Sequence, residues 1–371
     1  MKADWKTVKL GDAAKIISGR NQREVESPNG PHPIIGSGGE MGRANETLCP
    51  ADTTVIGRKG SINRPFFMSE PFWNVDTAFG ISADRGVITP RFLHYFCLSF
   101  DFTTLNKGTT IPSLVKSDIA EILIPLPPLA EQKRIVVLLN EAFAGIDEVK
   151  AKAEASIQSL GTLVVSEFQS LIDDKGFERK LLPELASHTL GKMLDKKKNT
   201  GTPRPYLRNV NVRWFEFDLS DIHEMPIRDE EAARCQARKG DVLMCEGGYP
   251  GRCAIWCSDE PVFFQKALHR IRFNDKWMAE WFVNYMHSLD SSGKISEFFT
   301  GTGIQHLTGE TLSKLKIPVP PKSEIEAYVK KISAIRDKTN ELAASESAKV
   351  NALCELKASL LTQAFAGELT A

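Results

Sequence analysis

The chain has 371 residues, 42% of them hydrophobic and 25% charged, the profile of a soluble protein long enough for two or more domains. Its 47 basic and 47 acidic residues cancel, so no bulk charge advertises nucleic acid and any DNA-binding reading must rest on local patches. No apolar run approaches a membrane span, the N-terminal MKADWKTVKL lacks the apolar centre of a signal peptide, and seven irregularly spaced cysteines fit reduced thiols; a cytoplasmic location without membrane contact is expected.

The first part covers residues 1–128. Residues 5–10 (WKTVKL) alternate like an edge strand, and residues 10–17 read as a short helix. A polar, basic turn follows at 18–23. Pro33-Ile34-Ile35 is a strand that runs into Gly36-Ser37-Gly38-Gly39, where glycine permits positive φ and close approach to a ligand. Residues 53–61 repeat the theme, with a buried strand and then Arg58-Lys59-Gly60-Ser61. Residues 72–81 (FWNVDTAFGI) are strand-rich. Residues 89–100 read as an amphipathic helix capped by Thr89, with Pro90 in its first turn. The sum is an α+β domain with two glycine loops. Neither loop is a P-loop, because GxxxxGK[ST] is absent, and no GxGxxG follows a strand. The remaining functional reading is a loop approaching a nucleic-acid backbone or groove, set against the plainer one of solvated turns.

Ile124-Pro125-Leu126-Pro127-Pro128 cannot be helix, since proline fixes φ and biases its predecessor away from the helical region. It is a stiff connector delivering the chain to a helix over residues 129–172, with Glu131 at the positive end of the helix dipole. Ile135, Leu139, Ala142, Ile146, Val149, Ala153, Leu160 and Val164 follow three-four steps.

The second part covers residues 173–321. Residues 181–186 read as a short helix, and Lys192, Lys196, Lys197 and Lys198 form a basic run. Residues 205–212 (PYLRNVNV) follow. Residues 240–248 are again a strand and then a glycine loop, continued by Tyr249, Gly251 and Arg252 into a strand at 254–256. Cys245, Cys253 and Cys257 lie close together, but no paired CxxC accompanies them, so buried or incidental thiols are expected rather than zinc. Residues 262–272 alternate polar and apolar, and residues 277–289 match the helix at 89–100.

Ile317-Pro318-Val319-Pro320-Pro321 then repeats the first connector at an offset of 193 residues, as GTGIQHL at 301–307 repeats GTTIPSL at 108–114. The closing helix, residues 322–371, has Glu324 and Glu326 at its start. Its seam runs through Ile325, Tyr328, Ile332, Ile335, Thr339, Leu342, Lys349 or Val350, Leu353 and Leu356. Two helices of similar length with narrow apolar stripes argue for a coiled coil between them, with each helix roughly 60–65 Å long at 1.5 Å per residue. The simpler alternative is two amphipathic helices, each lying on its own domain.

These features resemble the specificity subunit of type I restriction-modification enzymes over nearly the whole chain. The resemblance rests on PIIGSGGEMGRAN, VIGRKGSINRPFF, FWNVDTAFGI and IPLPPLAEQKRI in the first part. In the second it rests on YLRNVNV, GDVLMCEGGYPGRCAIW and LKASLLTQAFAGEL. The second connector departs from the pattern, with Lys322-Ser323-Glu324-Ile325 where the first has Leu129-Ala130-Glu131-Gln132. The resemblance implies two target recognition domains, each reading one half of a bipartite site in double-stranded DNA. It further implies helices paired as an antiparallel coiled-coil spacer in a pseudo-twofold molecule, two methyltransferase subunits docked on that spacer, and nuclease-translocase (restriction) subunits completing the complex. Adenine N6 methylation would belong to the partners, which would hold S-adenosylmethionine, ATP and magnesium; no cofactor or metal is expected on this chain. No Asn/Asp-Pro-Pro-aromatic tetrad, Walker A motif or convincing triad is present, in keeping with a non-catalytic subunit.

The candidate DNA-contacting residues are the glycine loops and their polar neighbours. In the first domain these are Arg20, Ser37, Gly38, Gly39, Arg43, Arg58, Lys59, Ser61 and Lys107; in the second, Arg208, Asn209, Glu246, Gly247, Tyr249, Arg252, Lys266, Gln305 and His306. Arg or Lys suits guanine, Asn or Gln adenine, and Glu the cytosine amine. The competing reading is a coiled-coil scaffold whose globular ends bind protein without reading DNA.

Overall fold

Each proline connector contains a β-strand paired with the first strand of its own half, and that pairing closes a domain ahead of each long helix. The computed structural model describes residues 5–193, 195, 200–301 and 303–369. They fall into two units, Met1–Glu154 with Ala348–Ala371, and Ala155–Ser347.

In unit 1 the chain runs β1 (Lys6–Lys9), α1 (Leu10–Ala13), β2 (Ala14–Ser18), β3 (His32–Gly36), β4 (Gly39–Ala44), β5 (Thr53–Gly57), β6 (Phe66–Met68), β7 (Trp73–Asn74), β8 (Ala78–Ala83), α2 (Pro90–Ser99), α3 (Lys116–Ala120), β9 (Leu123–Leu126) and the opening of α4 (Leu129–Lys175). Strand β1 pairs antiparallel with β9, Lys6 opposite Leu126. An antiparallel sheet has the order β2-β8-β5-β6, and a smaller one the order β4-β3-β7 with β3 and β7 parallel. Strand β5 is central and buried along its whole length, as its unbroken TTVIG run suggests. Helix α2 packs over β5 and β8 and buries Phe92, Leu93, Tyr95 and Phe96. The helix expected at 10–17 stops after one turn. Ala14, Ile16 and their exposed neighbour Lys15 alternate instead, and β2 pairs with β8 throughout.

Thr89 sits at the N-cap of α2, but its side chain does not cap; the hydroxyl is buried without a partner. The orphan amide is satisfied from α4. The Thr89 N–H donates to Gln132 Oε1 at 2.8 Å, and Gln132 Nε2 donates to the Val87 and Pro127 carbonyls at 3.0 and 2.9 Å. Gln132 is fully buried. The equivalent residue in the second half, Ile325, is buried in an apolar cluster. The departure in the second connector is therefore structural: one half ties its long helix to the domain with an amide, the other with packing.

Unit 2 repeats the path with β10 (Glu178–Leu181), α5 (Leu182–Leu185), β11 (Ala186–Leu190), β12 (Thr202–Leu207), β13 (His223–Ile227), α6 (Asp229–Cys235), β14 (Gln236–Ala237), β15 (Val242–Cys245), β16 (Cys253–Ile255), β17 (Val262–Phe264), β18 (Leu268–Phe273), α7 (Lys276–Ser291), α8 (Gly309–Ser313), β19 (Lys316–Val319) and α9 (Ile325–Ala366). Strand β10 pairs with β19, one sheet has the order β11-β18-β15-β16, and the other β13-β12-β17-β14. This is the topology of unit 1 with α6 and β14 added. The single alternating run at 262–272 is in fact two strands in different sheets, split by a turn at 265–267. Lys192 is buried and ion-paired with Glu231 of α6 at 2.5 Å; Lys196, Lys197 and Lys198 lie outside the described residues. Cys245 and Cys253 are buried, and burial pushes the Cys245 thiol up to about 11 and raises that of Cys253 as well.

Within unit 1, Ile135, Leu139, Phe143 and Ile146 of α4 share a core with Leu361, Ala364 and Phe365 of α9, and Lys357 pairs with Asp147 at 2.5 Å. Within unit 2, Val164, Phe168 and Ile172 of α4 meet Ile325, Val329 and Ile332 of α9, and Lys331 lies 3.6 Å from Glu167. Early α4 meets late α9 and late α4 meets early α9, so the helices are antiparallel. The heptad seam is only partly right. Val149, Leu342 and Leu356 are exposed, whereas Phe143, Phe168, Ile172, Val329 and Ala364 are buried. The helix ends also cover the domains; Phe365 packs on Phe92 and Phe96, and Phe168 on Trp281. That second contact widens the buried stripe beyond a two-position seam.

Candidate nucleic-acid interface

In unit 1 four loops meet at one end of the sheets. Ser37 and Gly38 make the tight turn between β3 and β4, with Gly39 at φ +121°. The Arg58-Lys59-Gly60-Ser61 bend follows β5, and a Cβ built on Gly60 lies 3.8 Å from Ser37 Oγ. The link after β7 is held to this bend, since the Arg58 N–H donates to the Thr77 carbonyl at 2.7 Å. The loop at 106–113 closes the group. The Gly60 N–H donates to the Pro112 carbonyl at 2.9 Å, and the Leu114 N–H to the Arg58 carbonyl at 2.8 Å. The Asn106 carboxamide shapes that loop by accepting from the Gly108 and Ser113 amides at 2.9 and 2.8 Å. Backbone polar groups are thus satisfied inside the cluster, which frees side chains to face outward.

Arg20, Ser37, Gly38, Gly39, Arg58, Lys59, Ser61 and Lys107 all belong to this end. The Arg20 N–H donates to the buried Asn74 carbonyl at 3.0 Å. Arg58 Nη1 donates to the Asp76 carbonyl at 3.2 Å, and Lys107 lies 3.4 Å from Asp118. Among the described residues the Lys59 ammonium is exposed and makes no ion pair. Arg43 is elsewhere. It lies at the opposite end of the β3–β4 hairpin, opposite Pro33, and its guanidinium donates to the Gly30 and Pro31 carbonyls at 3.0 and 2.7 Å.

In unit 2 the same backbone contacts recur. The Glu246 N–H donates to the Ala267 carbonyl at 2.9 Å, and the Leu307 N–H to the Glu246 carbonyl at 2.8 Å. Gly247 bridges His306 as Lys59 bridges Ser113. By these bonds Glu246 stands where Arg58 stands, Gly247 matches Lys59, Lys266 matches Asp76, and His306 matches Ser113. Glu246, Gly247, Lys266, Ala267 and His306 line a concavity of about 460 Å³. Gly247 and its neighbour Gly248 are needed for different reasons. A Cβ on Gly247 would sit 2.9 Å from His306 Nδ1. Gly248 has φ +81°, and a Cβ there would collide with Asn209 Nδ2.

Asn209 Nδ2 donates to the Gly247 carbonyl at 3.2 Å, and Arg252 Nη2 donates to the Asn209 carbonyl at 3.2 Å. The Arg252 guanidinium also lies 4.1 Å over the ring of Tyr249, which is 65% exposed. Gln305 is exposed beside His306. Arg208 is committed inward; its Nη2 donates to Asp221 Oδ2 at 2.5 Å, and that bond holds the Asp221 carboxyl below its ordinary range. The sequence pattern alone does not single out Asp76, Thr77 or Asn106. The signal that finds Asp76 and Thr77 is the match between the links after β7 and β17, which needs the strand order of both units; Asn106 shows itself only by its bonds to the Gly108 and Ser113 amides.

A family model described as a type I restriction modification DNA specificity domain matches residues 2–158 and again residues 191–352. The chain is 26% identical over 355 residues to the type I restriction enzyme EcoBI specificity subunit of Escherichia coli, covering 85% of this chain and 73% of that one. It is 25% identical over 360 residues to the EcoKI specificity subunit of Escherichia coli strain K12, covering 89% and 77%. A solved chain from work on complex assembly and conformational transition of the type I R-M system matches with a TM-score of 0.77 at 18% identity, over 99% of each chain. That last likeness concerns the fold.

Proposed function

The chain belongs to the type I restriction modification DNA specificity family, and from that premise we propose that its two loop clusters each read one half of a bipartite site in double-stranded DNA. The observation that carries this is the recurrence of one loop framework in both units with different side chains on it. A scaffold that only held proteins together would have no use for two matched sets of outward polar groups at the strand ends. The chain acts as the specificity component and performs no chemistry itself. Two methyltransferase subunits dock on the long helices and carry out adenine N6 methylation with S-adenosylmethionine; restriction subunits using ATP and magnesium complete the assembly in the cytoplasm. Helix length sets the unread gap between the half-sites. Among the described residues no helix is long and apolar enough to cross a membrane.

The test is to map modified adenines genome-wide in cells carrying the methyltransferase partner, with and without this chain. Methylation of one split motif only when the chain is present supports the reading. Methylation of the same motif without it overturns the reading.

A further inference from the structure

Glu246 and Lys266 line the same concavity, yet they form no ion pair with each other or with any other described residue. A half-buried carboxylate and an exposed ammonium left apart across a hollow are complementary to something that offers a donor next to an acceptor. The equivalent positions of unit 1 carry the opposite charges, Arg58 and Asp76, on the same backbone hydrogen bonds. Random drift of surface residues has no reason to keep one charge of each sign at both places while exchanging them.

In the major groove, a G·C pair presents the guanine O6 and N7 acceptors beside the cytosine N4 amino donor. Lysine or arginine is suited to the first and a carboxylate to the second. Resting on the DNA-reading function above, we infer that Glu246 and Lys266 together read one G·C pair in the second half-site, with Lys266 on guanine and Glu246 on cytosine. Arg58 and Asp76 read a G·C pair at the matching place of the first half-site, turned end for end relative to their domain. The cation on the β5 side in unit 1 faces guanine where the anion on the β15 side in unit 2 faces cytosine.

The experiment uses the full chain assembled with its methyltransferase partner, and reads the methylated motif from a randomised DNA library. E246Q keeps the side-chain shape, and the Glu246 carboxylate makes no bond that the fold depends on. E246Q and K266Q are each expected to relax the same single position, normally G·C, by roughly 10-fold in discrimination. The other half-site stays unchanged. The double exchange E246K/K266E is expected to turn the preferred pair around at that position. R58Q is expected to relax a G·C position in the first half-site alone. The inference is overturned if E246Q and K266Q relax different positions, if the shared position is A·T, or if a methylated motif persists with no position relaxed. Failure of the underlying function looks different, since the unmodified chain would then confer no motif at all.

Discussion

The loop clusters of the two units share strand order, anchoring backbone hydrogen bonds and one positive-φ glycine, Gly60 in one and Gly248 in the other, and differ in almost every outward side chain. Unit 1 presents Arg58, Lys59 and Ser113 where unit 2 presents Glu246, Gly247 and His306. The buried parts differ in another way. The offset between matched strands grows from 172 residues at the first, Lys6 to Glu178, to 193 at the last, Leu123 to Lys316, and unit 2 carries α6 and β14 in the added length. The lesson is that the framework is conserved by its backbone, not by its residues. Main-chain bonds hold the loop ends in place, so side chains are free to change charge without moving the loops. Where a side chain does hold the framework, as Gln132 does, the other unit reaches the same end by a different interaction.

That exception gives the largest expected effect. Q132A strips partners from the Thr89 N–H and the Val87 and Pro127 carbonyls, the first two half-buried and the last buried. At roughly 1 kcal/mol for each desolvated group left unpaired, the loss is about 2–3 kcal/mol, the half-buried groups recovering some hydration. The converse change, I325Q in unit 2, buries an amide among Val329, Ile332 and Phe168 and is expected to cost about 1–3 kcal/mol. Thermal melting of the two variants checks both. If Q132A melts like the unmodified chain, the two units are not joined to their helices in different ways.

A smaller effect separates the glycines. Gly60 and Gly248 both have positive φ, +80° and +81°. A Cβ at Gly60 meets only Ser37 Oγ at 3.8 Å, whereas one at Gly248 collides with the Asn209 amide. G60A is expected to cost about 1 kcal/mol, the left-handed penalty alone. G248A is expected to cost roughly 2–3 kcal/mol, because Asn209 must also give up the Gly247 carbonyl. Equal melting temperatures for the two variants would remove the contrast.

Much of this was legible in the chain. The proline connectors, the buried TTVIG strand, both long helices and the glycine loop at Glu246–Gly248 follow from local chemistry and the repeat; that Lys266 and His306 line one concavity with that loop does not. Other features were not. The 10–17 segment reads as helix because Leu10 and Ala13–Ala14 favour it, but pairing of β2 with β8 overrides that preference. Arg43 sits a few residues past a glycine-rich turn in the sequence pattern, yet a hairpin carries it away from the turn at about 3.3 Å per residue. Thr89 looks like a cap by type and place; the true partner is 43 residues away, at a distance no local pattern reports.

Lys59 sharpens the difference between holding DNA and reading it. Its ammonium is exposed and unpaired among the described residues, and its counterpart is a glycine. K59A is expected to weaken binding by a similar factor on all sequences. It should lower the slope of log affinity against log salt by roughly 0.9, the share of a single neutralised phosphate. Titrations on cognate and scrambled duplexes at several salt concentrations check this. A change of motif with an unchanged salt slope would move Lys59 from the backbone to a base.

Acid gives the mildest contrast. In unit 2, hydrogen bonds from Lys192 and Arg228 hold the Glu231 carboxyl down to about 2 from an ordinary 4.5. The Asp218, Asp221, Glu310 and Glu326 carboxyls are lowered as well. In unit 1 the lowered carboxyl among the described residues is Asp101, held by hydrogen bonds from Thr103. A carboxyl depressed in the folded state binds protons less readily there than in the unfolded chain. Its stabilising contribution is therefore complete above about pH 4.5 and is lost as the pH falls toward about 2. Unit 2 should thus weaken before unit 1 on acidification, beginning where α6 meets Lys192. E231Q removes the titrating group, so its melting temperature should lie below that of the unmodified chain at pH 7 and converge with it toward pH 2. Parallel curves across that range would mean the Lys192–Glu231 pair contributes nothing that protonation can remove, and the inserted helix would then be held by its other contacts, the Arg204–Asp229 pair and the Arg270 bond to the Ala233 carbonyl among them.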